Sequence, residues 1–191
     1  AVKESTRKSL VVVDMPYKTY TDKFTAYKNA KLLIKATKCD AIKLEGGKNI
    51  VKIIKYLTKK RIPVMGHIGL LPQTSRSFKV KGRNKKEIKK ILEDAKAISK
   101  SGVFAIIIEC VVEHLAKKIT KTVTVPTIGI GASKYCDGQI LVTEDLLGLS
   151  DLSPKFVRKY VNLKKIIEKN VKNYSNDVKL KRFPYLKNIY K

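Results

Sequence analysis

IKKILEDAKAISKSGVFAIIIECVVEHLAKKI, residues 88–119, spans one complete helix, strand and helix. Ile88, Ile91, Leu92, Ala95 and Ile98 recur at three- and four-residue spacing, which lines them along one face of a helix. Ser101-Gly102 stops that helix. Phe104–Ile108 is an unbroken apolar run, as expected of a strand covered on both faces. Val112, Leu115, Ala116 and Ile119 then return to helical spacing. A doubly covered strand between two amphipathic helices is the repeating unit of a parallel sheet with helices outside it.

The same alternation extends in both directions. Leu10–Val13, Ala41–Leu44, Pro63–Met65, Thr127–Ile130 and Ile140–Val142 read as further short strands, giving six in all. Tyr27, Ala30, Ile34 and Ile50, Ile53, Ile54, Leu57 supply helical stripes between them. GIGASKYCDGQ, residues 129–139, is too short and too rich in turn residues for a helix and reads as a loop crossover. Ser153-Pro154 predicts an N-cap and a first-turn proline for a long helix starting near Lys155. Strand and helix in strict alternation give an α/β fold, either an open doubly wound sheet or a wall of a closed barrel. A closed barrel of this type needs eight strands and typically about 250 residues. Six strands in 191 residues therefore fit a (β/α)8 TIM-barrel type with six of its eight strands, read as a single domain over residues 1–191.

Composition narrows the function classes. The longest apolar run is the six residues Val103–Ile108, far below the ~20 needed to cross a bilayer. AVKESTRKSL at the start has no apolar core of a signal peptide, so a cytoplasmic protein with no membrane partner is expected. The 42 Lys and Arg against 16 Asp and Glu give a formal charge of +26, which raises the question of a polyanion. Only Arg7, Arg61, Arg76, Arg83, Arg158 and Arg182 are arginines, whereas base-edge and phosphate recognition favours the bidentate guanidinium. The lysines are spread along the whole chain, so no nucleic-acid partner is expected; Arg76–Lys86 is a local basic cluster suited to an anionic ligand. Cys39, Cys110 and Cys136 have no metal-like spacing and read as free thiols.

Ligands of parallel α/β folds gather at the carboxyl ends of the strands. Here LVVVD ends on Asp14, AIKLE on Glu45, VMGH on His67 and FAIIIE on Glu109. Period-two alternation puts Lys43 on the face of Glu45, with Ile42 and Leu44 turned to the helices. A buried ammonium needs a partner, and Glu45, Asp14 or an anionic ligand are the choices. Glu109, after three isoleucines, suits a general base, because loss of water disfavours its charged form. Gly129-Ile130-Gly131 begins like a dinucleotide loop, but Lys134 stands at the third glycine and no helix follows. A phosphate-binding P-loop and a Gly-x-Ser-x-Gly elbow are also missing. Two carboxylates with room for water and substrate oxygens suit Mg2+, and carboxylates with a lysine suit enolate chemistry.

The blocks VVVDMP (11–16), CDAIKLEGG (39–47), IPVMGHIGLLPQ (62–73), FKVKGR (78–83), EDAKAI (93–98), FAIIIECV (104–111), PTIGIGA (126–132), CDGQILV (136–142) and PKFVRKY (154–160) run in order along the chain. Together they resemble ketopantoate hydroxymethyltransferase. The resemblance implies a (β/α)8 barrel that moves a hydroxymethyl group from methylenetetrahydrofolate to 3-methyl-2-oxobutanoate through a Mg2+-stabilised enolate, giving ketopantoate for pantothenate synthesis. It also implies a homo-oligomer, a decamer in many members. Residue by residue, Asp14 would bind metal and substrate, Glu45 the metal through water, Lys43 the keto acid, and Glu109 would accept the proton. His67 lies in a family motif without an assigned role. Family chains carry two more βα units before the equivalent of Ala1, ending in an Asp-Ser pair that adds a metal ligand, so this chain reads as a member lacking that part. Ser133-Lys134 and Leu71 depart from the family's usual residues. A catalytically impaired member, or another Mg2+-dependent enzyme making or breaking carbon–carbon bonds of keto acids, are the alternative readings.

Overall fold

The computed structural model describes residues 2–75, 77–151 and 154–190. Two compact units make up the chain, residues 1–140 and 141–191.

Among the described residues the first unit contains six strands, β1 (Val12–Asp14), β2 (Ala41–Glu45), β3 (Val64–Gly69), β4 (Ala105–Glu109), β5 (Thr127–Ile130) and β6 (Gly138–Gln139). All five neighbouring pairs are parallel, and the spatial order is the chain order from β1 to β6. That order decides between the two expected architectures. An open doubly wound sheet reverses its strand order at a switch point, and no reversal occurs among the described strands. The unit is therefore a partial (β/α)8 barrel. Helices α1 (Val2–Ser5), α2 (Lys23–Thr37), α3 (Val51–Lys59), α4 (Lys85–Ser99) and α5 (Glu113–Thr122) precede or connect the strands.

Local chemistry sets the helix limits. Asp22 caps α2 by accepting from the backbone N–H groups of Phe24 and Thr25 at 2.8 and 3.0 Å, satisfying donors that the first turn leaves free. At α4, Asn84 accepts from Glu87 N–H while Glu87 reaches back to the N–H groups of Gly82 and Arg83. Ile91, Ala95 and Ile98 form the buried stripe of α4, and Leu115, Ala116 and Ile119 that of α5. The strands separate two apolar layers by alternation. Ile42, Leu44, Val64, Ile68, Ile106 and Ile108 pack with the helices, whereas Met65, Ala105, Ile107 and Ile130 form a smaller cluster on the opposite face. Lys43, His67 and Glu109 share that second face by register and alternation.

Several boundaries differ from the sequence reading. β3 runs past the expected Met65 to Gly69, so His67 stands inside the strand rather than at its end. The first strand begins at Val12 rather than Leu10, which is 70% exposed. The last is Gly138–Gln139 rather than Ile140–Val142, because Ile140 and Val142 stay about half exposed and gain nothing from a buried sheet position. In the second unit, α6 (Thr143–Leu146) is followed by a long connection, and α7 starts at Leu163, running to Lys179. The expected helix start near Lys155 is replaced by a turn in which Val157 N–H bonds Pro154 C=O. Asn162, accepting from Lys165 N–H at 3.1 Å, provides the actual cap; Ser153 lies outside the described residues. The crossover from β5 to β6 is a loop, as expected.

Candidate active site

The carboxyl ends of β1 to β4 bring together Asp14, Lys43, Glu45, His67 and Glu109. Register places Asp14 beside Lys43, Glu45 beside His67, and Gly69 beside Glu109. Gly69 has φ +95°, and a Cβ there would lie 2.3 Å from Glu109 C=O. Only glycine allows β3 and β4 to close so tightly at this point. Leu70 N–H then donates to the same carbonyl at 2.8 Å, anchoring the turn after β3 to the backbone of Glu109.

Lys43 settles on Asp14, with its Nζ 2.9 Å from Oδ2. The same ammonium lies 3.1 Å from His67 Nδ1. An ammonium has donors only, so Nδ1 must accept and the proton of the neutral ring sits on Nε2. That nitrogen is 3.2 Å from Glu109 Oε2, but outside hydrogen-bond geometry, and it is a buried polar atom with no partner among the described residues. His67 is 1% exposed. A buried donor without an acceptor costs about 1–3 kcal/mol, a cost retained here in the middle of three charged groups.

Glu45 is the most enclosed carboxyl of the group. One oxygen accepts from Gln73 N–H at 3.1 Å, and the other faces His67 Nδ1 at 3.7 Å. Burial pushes its pKa up, and the Gln73 hydrogen bond and the Lys43 charge oppose that shift. Loss of water, expected from the sequence to act on Glu109, acts on Glu45. Glu109 keeps its side chain 15% exposed at the mouth, where a substrate can reach it. Next to it, Cys110 adopts φ +48°, and burial, then the Glu109 charge, pushes its thiol up to about 11. It is therefore an inert thiol at neutral pH.

Asp14 and Glu45 offer only oxygen donors, one half exposed and one buried. Hard oxygen donors fit Mg2+, which uses one or two carboxylates and keeps positions for water and substrate. No group of three or more His, Cys, Asp or Glu suited to hold a metal occurs among the described residues. The sequence placed Asp14, Glu45 and Glu109 at strand ends and Lys43 on their face, but His67 stands two residues before the end of β3, and neither its central place nor the contact from Gln73 was foreseen. Gln73 acts through its backbone N–H, for which no residue type is a signature.

Among the described residues no helix is long and apolar enough to cross a membrane. Residues 1–185 match the family model described as ketopantoate hydroxymethyltransferase. The 3-methyl-2-oxobutanoate hydroxymethyltransferase of Pelagibacter ubique is 53% identical over 190 residues, covering all of this chain and 74% of that one. The enzyme of the same name from Phenylobacterium zucineum is 50% identical over 194 residues, covering 70% of its length. Among solved structures, a putative phosphonomutase from Burkholderia cenocepacia superposes with a TM-score of 0.52 at 10% identity, over 91% of this chain and 70% of that one. That likeness concerns the fold alone. With residues 1–185 of its 191 matched by the family model and about half of its residues shared with these relatives, the chain belongs to the ketopantoate hydroxymethyltransferase family.

Proposed function

We propose that this chain transfers a hydroxymethyl group from methylenetetrahydrofolate to 3-methyl-2-oxobutanoate. The observation that supports this most directly is the convergence of Glu109, His67 and Lys43 on one side of the β3–β4 mouth. Removing a proton beside a ketone requires a base within reach and positive charge or hydrogen-bond donors where the oxygen becomes negative. Glu109 is the base, with its carboxylate open to the mouth. The Lys43 ammonium and the orphaned His67 Nε2–H are the donors on the side of the developing enolate. Little water competes with them, since His67 is fully enclosed and Lys43 largely so.

Asp14 and Glu45 would hold Mg2+, which supplies electron withdrawal from the keto acid and so acidifies the carbon next to the ketone. Lys43 serves both halves of the site: it compensates Asp14 in the free protein and turns to the keto acid's carboxylate or oxyanion when substrate arrives. Water adds to the folate's methylene and breaks its two C–N bonds, giving formaldehyde and tetrahydrofolate; the enolate carbon attacks the formaldehyde carbon, and the new alkoxide takes the proton held by Glu109 to leave the –CH2OH group of ketopantoate. A cytoplasmic homo-oligomer is the state in which we expect the protein to work.

The test uses loss of the proton at C3 of 3-methyl-2-oxobutanoate in heavy water, followed by NMR with Mg2+ and without folate. Exchange dependent on Mg2+ is expected, and Glu109→Gln should slow it by about 10²–10⁴-fold with an unchanged melting curve. Exchange that is equally fast in the variant removes Glu109 as the base. No exchange in the unaltered chain means that these residues alone do not form a working site.

A further inference from the structure

The turn after β3 contributes a residue that the proposed chemistry does not use. Gln73 makes three hydrogen bonds, each to a different part of the mouth. Its backbone N–H donates to Glu45 Oε2 at 3.1 Å. Its side-chain Nε2 donates at 3.0 Å to the carbonyl of Met15, the residue after Asp14. Its Oε1 accepts at 2.9 Å from the hydroxyl of Tyr20. The Met15 carbonyl can only accept, so it fixes the amide's orientation, with Nε2 toward itself and Oε1 toward the Tyr20 hydroxyl. The Tyr20 hydroxyl also lies 3.5 Å from the backbone carbonyl of Glu45. Met15 is fully buried, so the carbonyl that receives Nε2 belongs to a fixed point of the fold.

The sequence separations are 28, 58 and 53 residues, so none of these contacts is needed to form a local turn. The turn is closed separately, by Thr74 and Ser75 N–H bonding to Leu71 C=O. Gln73 instead ties the chain after β1 to the carboxylate at the end of β2. We propose that Gln73, oriented by Tyr20, is a positioning residue that fixes the spacing of Asp14 and Glu45 and leaves Glu45 Oε1 free to face the mouth, thereby setting affinity for Mg2+ and the keto acid together. The inference rests on the reading of Asp14 and Glu45 as the carboxylates that hold them.

Mn2+ in place of Mg2+ gives a direct readout, with the bound ion followed by electron paramagnetic resonance at increasing 3-methyl-2-oxobutanoate. Gln73→Met keeps the length and the backbone N–H but removes both side-chain bonds, and Tyr20→Phe removes one of these together with the longer 3.5 Å contact to Glu45 C=O. Gln73→Met should weaken keto-acid-dependent Mn2+ binding by about 10-fold, the lower end for residues that support metal ligands, and should alter the spectrum of the bound ion. Tyr20→Phe should act in the same direction by less, and the double variant should be no worse than Gln73→Met, since the two share one bond. A purely structural role would lower the melting temperature and leave the affinity and spectrum of the folded protein unchanged, which overturns the proposal. Additive effects of the two substitutions also overturn the Tyr20 part. If the unaltered chain shows no keto-acid-dependent Mn2+ signal, the metal reading of Asp14 and Glu45 fails first, and the positioning role fails with it. Tyr20→Phe, the milder change, keeps the test open if Gln73→Met does not fold.

Discussion

Two polar networks sit on the same sheet and differ in how completely they are satisfied. At the β5–β6 side, the Thr127 hydroxyl, fully buried, lies 2.8 Å from the Thr120 hydroxyl and donates at 2.9 Å to Asp137 Oδ2. The same carboxylate oxygen accepts from Thr127 N–H at 2.7 Å. These bonds, first the backbone one, hold the Asp137 carboxyl below its usual pKa. At the β1–β4 mouth the balance is the reverse: burial raises the Glu45 pKa, and a His67 nitrogen has no hydrogen-bond partner. A network whose donors and acceptors match stabilises one conformation. One left partly unmatched holds groups ready for a ligand, at a cost in stability.

Three substitutions can break or sharpen this contrast. The largest effect is expected from Lys43→Met, which removes the ammonium shared by Asp14 and His67. Loss of a charged donor to a developing oxyanion should slow Mg2+-dependent proton exchange by about 10²-fold, while the folded state is retained. A fall in stability without a fall in exchange would put Lys43 on the structural side of the comparison. Next is Thr127→Val, which keeps the β-branched shape and deletes the buried hydroxyl. Leaving its partners short of a bond should cost about 1–3 kcal/mol in urea unfolding, with exchange per folded molecule unaltered. A large change in exchange would show that the β5–β6 network reaches the mouth.

The smallest effect concerns acid. Because the folded Asp137 pKa lies below that of the unfolded chain, its contribution is complete above the unfolded value of about 3.9. It is lost as pH falls through the folded value. Asp137→Asn should therefore lower the melting temperature at neutral pH and converge with the unaltered chain in acid. Parallel melting curves at every pH would mean that the charge of Asp137 contributes nothing.

The site was legible in the sequence where it depends on strand alternation and strand ends. Asp14, Glu45 and Glu109 each close a strand, and the parallel fold collects such ends by construction; His67 lies inside β3, on the face that alternation gives it. Ile42 and Leu44 turned to the helices and Lys43 to the other face, as alternation requires. Boundaries were less legible at Ile140–Val142 and near Lys155. There apolar residues and a proline resembled a strand and a helix start, but the tertiary environment buries neither Ile140 nor Val142.

The sequence by itself determined the α/β alternation, the residue types at the strand ends and family membership, because these depend on local periodicity and on ordered blocks of residues. Only the tertiary structure decided that the strands follow chain order without reversal, and that Lys43 pairs with Asp14 rather than Glu45. It also decided that His67 stands among three charged groups and that Gln73 reaches Glu45 and Met15. Those choices depend on distances between residues 24 to 58 positions apart. Such distances are set by the packing of whole strands and turns, and no local pattern of side chains encodes them.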